Sequence, residues 1–275
     1  MINIKQIFAL SAICLSVPLQ LHAKLISINE KATQSGGYVV IQATPGSHIK
    51  FIDTQYNVDP KGYVAIGFHR ELSGEQEISI ISQTGTVETQ VIHIAPREYN
   101  IQRVEGVPAS RVTPPIELTK RIQAESAQVT KARSVSGDFD FWRVEEFIWP
   151  IQGRISGVYG SQRFYNGIPG SPHWGIDLAA VKGSPVYAPA SGQIVLAEPD
   201  LYYSGGTIIL DHGGSVSSTF LHLSSLDVEV GQMVKKGELI GKVGSTGRST
   251  GPHLDWRMNM HGVRIDAALW IDDSE

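Results

Sequence analysis

The chain has 275 residues, of which 18% are charged and 41% hydrophobic, and its formal net charge at pH 7 is −4. A chain of this length can bury the core of one large domain or of two smaller ones. The slightly acidic balance excludes the positive electrostatic field with which proteins attract nucleic acids.

Residues 1–23 are typical of a secretory signal peptide. Lys5 is the only Asp, Glu, Lys or Arg among them, and the apolar run IFALSAICLSVPLQL precedes a small residue, Ala23. This run is shorter than the ~20 residues of a transmembrane anchor, which is the alternative interpretation. We therefore expect cleavage, export to the periplasm or cell envelope, and no membrane span in the mature protein. Since the only cysteine, Cys14, lies in this run, a metal site in the mature chain must use His, Asp or Glu.

Residues 24–98 predict a small antiparallel β sandwich. Short β-branched runs alternate with turns that contain Gly or Pro, as sandwich strands do. The runs are GYVVIQATPG, SHIKFID, GYVAIGFH, EQEISIIS and TVETQVIHIA. We interpret His48, His69 and His93 as packed or surface residues because their neighbours are apolar, and we predict no chemistry in this domain.

Residues 99–145 predict a linker. Its stretch VPASRVTPP contains three prolines, which favour an extended backbone and stop helices. The following run, IELTKRIQAESAQVTKARS, predicts an amphipathic helix with Leu118, Ile122, Glu125 and Val129 on one face. We expect this helix to pack on a neighbouring domain, because the pattern is too short for a coiled coil.

Residues 146–275 predict a second β domain, so the predicted fold class of the whole chain is all-β. Nineteen of the 28 glycines follow residue 150, and all five tryptophans follow residue 141. Runs such as GQIVLAEP and GTIILDHG alternate with Gly-rich turns, and helix signals nearly vanish.

Two short stretches of this domain carry pairs of metal-ligand residue types. In SPHWGIDLA, His173 and Asp177 flank Gly175, and strand alternation places all three on one face. Gly175 would leave room for a metal or a substrate beside the backbone. In TGPHLDWRM, His253 and Asp255 also share a strand face. Histidine nitrogens and carboxylate oxygens suit Zn²⁺ as ligands, at about 2.0–2.2 Å.

A third stretch, STFLHLSS, places His222 at the end of an apolar strand. Each stretch alone is a weak signal, but their occurrence in one Gly-rich β domain predicts a metal site. We interpret His212 as a packing or turn residue, and Trp174 and Trp256 as core or groove wall, because they alternate to the opposite strand face. A loop before the first ligand pair could line a substrate groove through Arg163, Tyr165 and Asn166.

Three longer blocks resemble the lysostaphin-type, zinc-dependent peptidoglycan endopeptidases of peptidase family M23. They are HWGIDLAAVKGSPVYAPASGQIV, TIILDHGG and TFLHLSSLDVEVGQMVKKGELIGKVGSTGRSTGPHLDWRM. The resemblance covers residues 147–270, and the preceding signal peptide, β domain and linker are similar to those of exported members. It implies a compact β fold with a groove, one Zn²⁺, and attack of a metal-bound water on peptide stems of peptidoglycan. Which cross-link bond is cut stays open.

By this resemblance, His173 and Asp177 are the first two zinc ligands. His222 and His253 correspond to the histidines that polarise the water and stabilise the oxyanion, in an order that the sequence leaves open. Asp255 stands where the family usually has a third ligand histidine. Its carboxylate oxygen lies two bonds beyond Cβ, as Nδ1 of histidine does, so Asp255 can still ligate zinc. A second carboxylate would nevertheless reduce the charge of the centre from +1 to 0, weaken its Lewis acidity and favour harder cations such as Mn²⁺.

Two other functions compete with the enzyme. Some exported members of this family have lost zinc ligands and activate other cell-wall hydrolases, such as an amidase, and Asp255 is a step in that direction. The retention of His173, Asp177, His222 and His253 favours the enzyme. The run GQMVKKGELIGKVG is similar to a biotinyl or lipoyl carrier hairpin, but it lacks the Met-Lys turn that holds the cofactor, which excludes a carrier.

Overall fold

The computed structural model describes residues 24–26, 32–105 and 116–271. The predicted signal peptide (1–23) and the proline-rich stretch (107–115) lie outside the described residues. Strands make up most of the regular structure of the described residues, which confirms the predicted all-β class. None of the helices in these residues is long and apolar enough to cross a membrane.

The N-terminal part consists of two antiparallel sheets. Their strands are β1 (Lys24–Ile26), β2 (Tyr38–Gln42), β3 (His48–Phe51), β4 (Thr54–Asn57), β5 (Tyr63–Gly67), β6 (Gly74–Ile81) and β7 (Val87–Ile94). One sheet has the order β1-β2-β5 and the other β4-β3-β6-β7. Alternate side chains of both sheets, such as Ile41, Ile66 and Ile80, share one apolar core. This arrangement is the sandwich that the alternating runs predict.

Part of the predicted linker pairs with the C-terminal part. β8 (Ile101–Val104) lies parallel to β10 (Gln162–Tyr165), and β10 also pairs with β11 (Ile168–Pro169). The predicted amphipathic helix is present as α1 (Thr119–Arg133). A short helix, α2 (Phe141–Val144), follows it.

The C-terminal part is built on a large sheet. Its strands are β9 (Arg154–Gly157), β12 (Ile176–Ala179), β14 (Gly192–Leu201), β15 (Gly205–Asp211), β16 (Val216–Leu223), β18 (Met233–Val234), β20 (His253–Met260) and β21 (Val263–Ile265). They lie in the order β18-β14-β15-β16-β20-β12-β9, and β21 pairs with β20. A smaller sheet in the order β13-β19-β17 consists of β13 (Pro185–Tyr187), β17 (Ser225–Leu226) and β19 (Leu239–Lys242).

Strand β20 has one apolar and one polar face. Leu254, Trp256 and Met258 are fully buried in the main C-terminal core. The alternate residues form what we call the polar face of β20, defined by His253, Asp255, Arg257 and Asn259.

Helix α1 packs on strands β14 and β15, and its last residue, Arg133, reaches Thr219 of β16. Its residue Ala132 belongs to a small apolar cluster with Leu196, Leu201 and Ile209. The helix thus packs on the C-terminal part, as expected, and it covers the side of the sheet opposite the main core.

His212 is a packing residue of the C-terminal core. Its ring is fully buried, and Nδ1 and Nε2 lie 2.8 Å from Ser191 O and Ser218 Oγ. The ring of Phe147 contacts it edge-on. Burial lowers the pKa of His212 from 6.5 to about 4.

We expect His212→Gln to reduce the loss of stability on acidification. Between pH 6.5 and pH 4 the unfolded chain binds a proton at His212 that the folded protein excludes. The free energy of unfolding therefore decreases as the pH falls, by about 3 kcal/mol from this residue over the whole window. Urea unfolding of both proteins at pH 7 and pH 5 measures the difference, and an equal loss in both would contradict the expectation.

Candidate metal centre

The three predicted ligands meet where β12 and β20 pair. Asp177 in β12 lies directly opposite Asp255 in β20 in the antiparallel register. His173 precedes β12, and its backbone N–H donates to Ser161 O at 2.8 Å. One potential ligand atom from each of His173, Asp177 and Asp255 lies within 4.8 Å of the others. We call these three residues the donor triad.

Two atoms of the donor triad have no hydrogen-bond partner among the described residues. His173 Nε2 and Asp177 Oδ1 are buried and lie 3.1 Å apart; they can pair only while Nε2 carries a proton, and otherwise neither has a hydrogen bond. Unpartnered buried polar atoms are rare in folded proteins and call for an ion, a water or a functional explanation. Two ligands of one tetrahedral zinc, each at about 2.0–2.1 Å, lie roughly 3.4 Å apart. The donor triad therefore fits a divalent cation.

The third carboxylate is held by an arginine of its own strand. Arg257 Nε donates to both oxygens of Asp255 at 3.0 Å, and Nη2 donates to Oδ2 at 2.5 Å. Burial raises the pKa of Asp255, but the charge and hydrogen bonds of Arg257 outweigh it, so that the pKa lies below its ordinary value. Asp255 is therefore ionised at neutral pH. Its Oδ1 accepts from Nε alone and retains a lone pair that can face a cation.

The guanidinium of Arg257 changes the net charge that the sequence analysis predicts for the metal centre. A neutral imidazole, two carboxylates and one guanidinium carry a net charge of −1 together. Two histidines and one carboxylate, the set usual in the resembled endopeptidases, carry the same charge. With a divalent cation the centre is therefore +1 and not 0, so the pair of Asp255 and Arg257 substitutes electrostatically for one neutral histidine.

Two glycines leave space for the two carboxylates. A Cβ at Gly157 would lie 2.3 Å from Asp177 Oδ2, and a Cβ at Gly175 would lie 2.1 Å from Asp255 Oδ1. The space beside Gly175 was expected to admit a metal or a substrate, and the structure fills it with the Asp255 carboxylate. Gly157 was not predicted as a site residue.

The two predicted catalytic histidines lie beside the donor triad. The ring centroids of His222 and His253 are 4.8 Å apart, and His253 Nε2 lies 3.7 Å from Asp177 Oδ1. His222 Nδ1 is 2.8 Å from Thr246 O, and His253 Nδ1 is 2.8 Å from Gly251 O. A carbonyl oxygen can only accept, so Nδ1 carries the proton in each neutral ring. Both Nε2 atoms are then free to accept one.

His222 is held in an uncommon backbone conformation. Its φ of 65° lies in the left-handed region, which non-glycine residues rarely adopt. Burial lowers the pKa of its imidazole, although the hydrogen bond to Thr246 O acts in the opposite direction. His222 is therefore neutral at pH 7, which is the state that a general base needs. For His173, burial lowers the pKa, but Asp177 and Asp255 together raise it above its ordinary value.

The remaining residues singled out in the sequence lie elsewhere. Trp256 is buried in the core, and Trp174 contacts the ring of Tyr159. The predicted groove residues of β10 and its turn pair with the linker strand: Arg163 Nε donates to Gln102 Oε1, and Asn166 N donates to Val104 O.

Comparisons with known proteins agree with the sequence motifs. Residues 171–267 match the profile described as peptidase family M23. The peptidoglycan DD-endopeptidase ShyA of Vibrio cholerae serotype O1 is 38% identical over 97 residues, or 35% of this chain and 22% of ShyA. Lysostaphin of Staphylococcus simulans is 41% identical over 100 residues, or 36% of this chain and 20% of that protein. The chain thus spans about a quarter or less of the length of the curated relatives it matches.

The resemblance to one solved structure extends beyond the matched domain. A crystal structure described as a peptidase M23 from Pseudomonas aeruginosa is 27% identical and superposes with a TM-score of 0.67. The match covers 87% of this chain and 95% of that one. The shared fold therefore extends beyond residues 171–267 into the N-terminal sandwich.

We expect Gly157→Ala to lower zinc affinity about tenfold to a hundredfold, because the added methyl group displaces the Asp177 carboxylate. Competition of the purified variant with a zinc-chelating dye measures this affinity. Gly85→Ala is the matched control. It strains a turn with φ of 84° but meets open space, so it should lower thermal stability without affecting zinc binding. Equal zinc affinity of wild type and Gly157→Ala would contradict the expectation.

Proposed function

We propose that this chain, which belongs to peptidase family M23 through residues 171–267, is an exported zinc endopeptidase that hydrolyses peptide cross-links of peptidoglycan. The observation that carries the proposal is the convergence of the donor triad with His222 and His253, whose Nε2 atoms are free to accept protons. The name of ShyA, a peptidoglycan DD-endopeptidase, supports a peptide substrate in peptidoglycan. Cleavage of residues 1–23 on export belongs to the same proposal.

His173, Asp177 and Asp255 would hold the metal ion. When bound, zinc acts as a Lewis acid on the peptide carbonyl and lowers the pKa of water. The chain's own contribution begins with proton transfer: one of the two catalytic histidines accepts a proton from the attacking water at Nε2. The same imidazole can then donate this proton to the leaving amide nitrogen.

The second histidine stabilises the developing negative charge. In its protonated form, Nε2 of His222 or His253 donates a hydrogen bond to the tetrahedral oxyanion. The Nδ1–H bonds to Thr246 O and Gly251 O fix both rings in the orientation that this requires. Both rings are therefore oriented before a substrate binds, which is the basis of electrostatic preorganisation.

A second candidate function is that of a metal-free module that activates another cell-wall hydrolase, such as an amidase. One observation favours it: Arg257 satisfies the Asp255 carboxylate without any cation. The pair of His173 Nε2 and Asp177 Oδ1 favours the enzyme instead, because these atoms lie at a separation that suits two ligands of one cation and have no other hydrogen-bond partner among the described residues.

Metal content distinguishes the two functions. We expect the wild type to retain about one zinc per chain after dialysis and to release soluble peptides from isolated peptidoglycan. His222→Ala should retain the metal and lose most of this activity, by about a hundredfold or more. A wild type that binds no divalent metal and releases no peptides, but stimulates an amidase, would establish the activator instead.

Charge compensation at position 255 gives a sharper test of the ligand set. Asp255→His alone leaves Arg257 without a partner and makes the protein ligands and guanidinium neutral in total, so we expect weaker zinc binding than in the wild type. Asp255→His combined with Arg257→Gln restores the net charge of −1 and should recover zinc affinity to within about tenfold of the wild type. Tighter binding by the single variant than by the double variant would contradict the compensation.

A further inference from the structure

A cavity of about 520 Å³ lies between helix α1 and the large sheet. The helix contributes Val129 and Arg133 to its wall, and the sheet contributes Thr219 and Arg257. His222 lines the same cavity. The cavity therefore reaches one of the two proposed catalytic histidines.

Four arginines line this cavity; Arg248 lies over the ring of Tyr203, and the other three form a cluster. Arg133 comes from the end of α1, Arg257 from β20 and Arg264 from β21, and we call them the arginine cluster. Asp255 is the carboxylate that pairs with the cluster, and Arg257 already occupies it bidentately. The only side-chain bond of Arg133 to a described residue is a long one of 3.5 Å to Thr219 Oγ1. No described residue forms a hydrogen bond or ion pair with the side chain of Arg264.

Several polar atoms around the arginine cluster are buried without a partner. Arg133 Nε and Arg264 Nη1 make no hydrogen bond with the described residues. The side-chain oxygen and nitrogen of Asn259 also make no hydrogen bond with them. Asn259 is 1% exposed and lies opposite Arg264 on the neighbouring strand. A buried donor without a partner destabilises the folded protein, and a charged donor does so more strongly. Such a concentration of unsatisfied donors is the pattern of a site that a polar ligand completes.

The electrostatics of the cluster favour an anion. Burial and the charges of Arg264 and Arg257 lower the pKa of Arg133, and burial and Arg257 lower that of Arg264. The positive charges thus repel one another in a place where solvent screens them poorly. An anionic group would relieve this repulsion and would also accept hydrogen bonds from the unpartnered N–H groups.

We propose that the arginine cluster is a subsite for a free carboxylate of a peptide, held beside His222. The inference rests on the proposed peptidase function, since it places the carboxylate of a peptidoglycan stem next to the proposed catalytic residues. A carboxylate suits the planar fork of an arginine, which binds it through two parallel hydrogen bonds. Since Arg133 belongs to α1, the linker helix contributes directly to the subsite.

Binding of a short peptide tests the subsite without any reaction. The probes are N-acetyl-D-alanyl-D-alanine and its C-terminal amide, titrated calorimetrically against the full protein with and without a zinc chelator. We expect the acid to bind about tenfold or more tightly than the amide in both conditions, because the arginines and not a metal hold the carboxylate. Its persistence with the chelator keeps this result separate from the outcome of the zinc and hydrolysis assays.

Arg264→Gln and Arg133→Gln should each remove most of this preference for the acid. Arg154→Gln is the matched control, because Arg154 is exposed on β9 and its loss removes the same charge. The subsite is contradicted if acid and amide bind equally, if the preference disappears with the chelator, or if Arg154→Gln reduces it as much as Arg264→Gln does. Equal competition by inorganic phosphate and acetate, without any acid-over-amide preference, would indicate an adventitious ion only and also contradict it.

Stability gives an independent readout. Arg264→Met keeps the apolar stem but removes the unpaired charge, so we expect the melting temperature of the ligand-free protein to rise by a few degrees. A structural arginine with a native partner would give the opposite result, and a fall of several degrees would therefore overturn the assignment.

Discussion

Two carboxylates placed directly opposite each other on neighbouring strands are the constraint on which the site depends. Asp177 and Asp255 occupy such a position, where like charges destabilise a sheet unless a cation lies between or beside them. Arg257, which lies on the same strand as Asp255, supplies one positive charge to that carboxylate. It forms no hydrogen bond with His173 Nε2 or Asp177 Oδ1. A divalent cation at those remaining atoms would complete the balance. The glycines opposite both carboxylates follow from the same constraint, because any larger residue would displace the charges.

The sequence was sufficient to predict the all-β class and the helix of the linker, and the five residues that it nominates for the centre lie close together in the structure. Strand alternation places His253 and Asp255 on one face, and a period of two is a local property that survives folding. The same alternation also extends to Arg257, so the motif H-x-D-x-R contained the signal for the partner of Asp255. The bidentate pairing itself depends on a rotamer and on burial, which the periodicity does not determine.

Other features depend on contacts between distant parts of the chain. Gly157 acts on Asp177 because β9 pairs with β12, and the sequence alone does not specify that pairing. Arg133 and Arg264 line the same cavity only because α1 packs on β14 and β15 of the large sheet. An amphipathic pattern predicts that such a helix packs somewhere, but it does not identify the surface that it covers. The sequence analysis predicts local features such as strand alternation, but it does not predict these contacts between distant parts of the chain.

The ion pair of Asp255 and Arg257 also distinguishes this centre from one with two ligand histidines. A neutral histidine in place of Asp255 would need no compensating charge in the metal-free protein, whereas a lone carboxylate there would be buried and uncompensated. Arg257 removes that penalty, so Asp255 remains oriented before the metal arrives. Metal binding then acts on a preformed site, and the ion competes only for the free lone pair of Oδ1. The enzyme and the activator would thus share one metal-free structure, and the affinity for the cation alone would decide which of the two functions the chain performs.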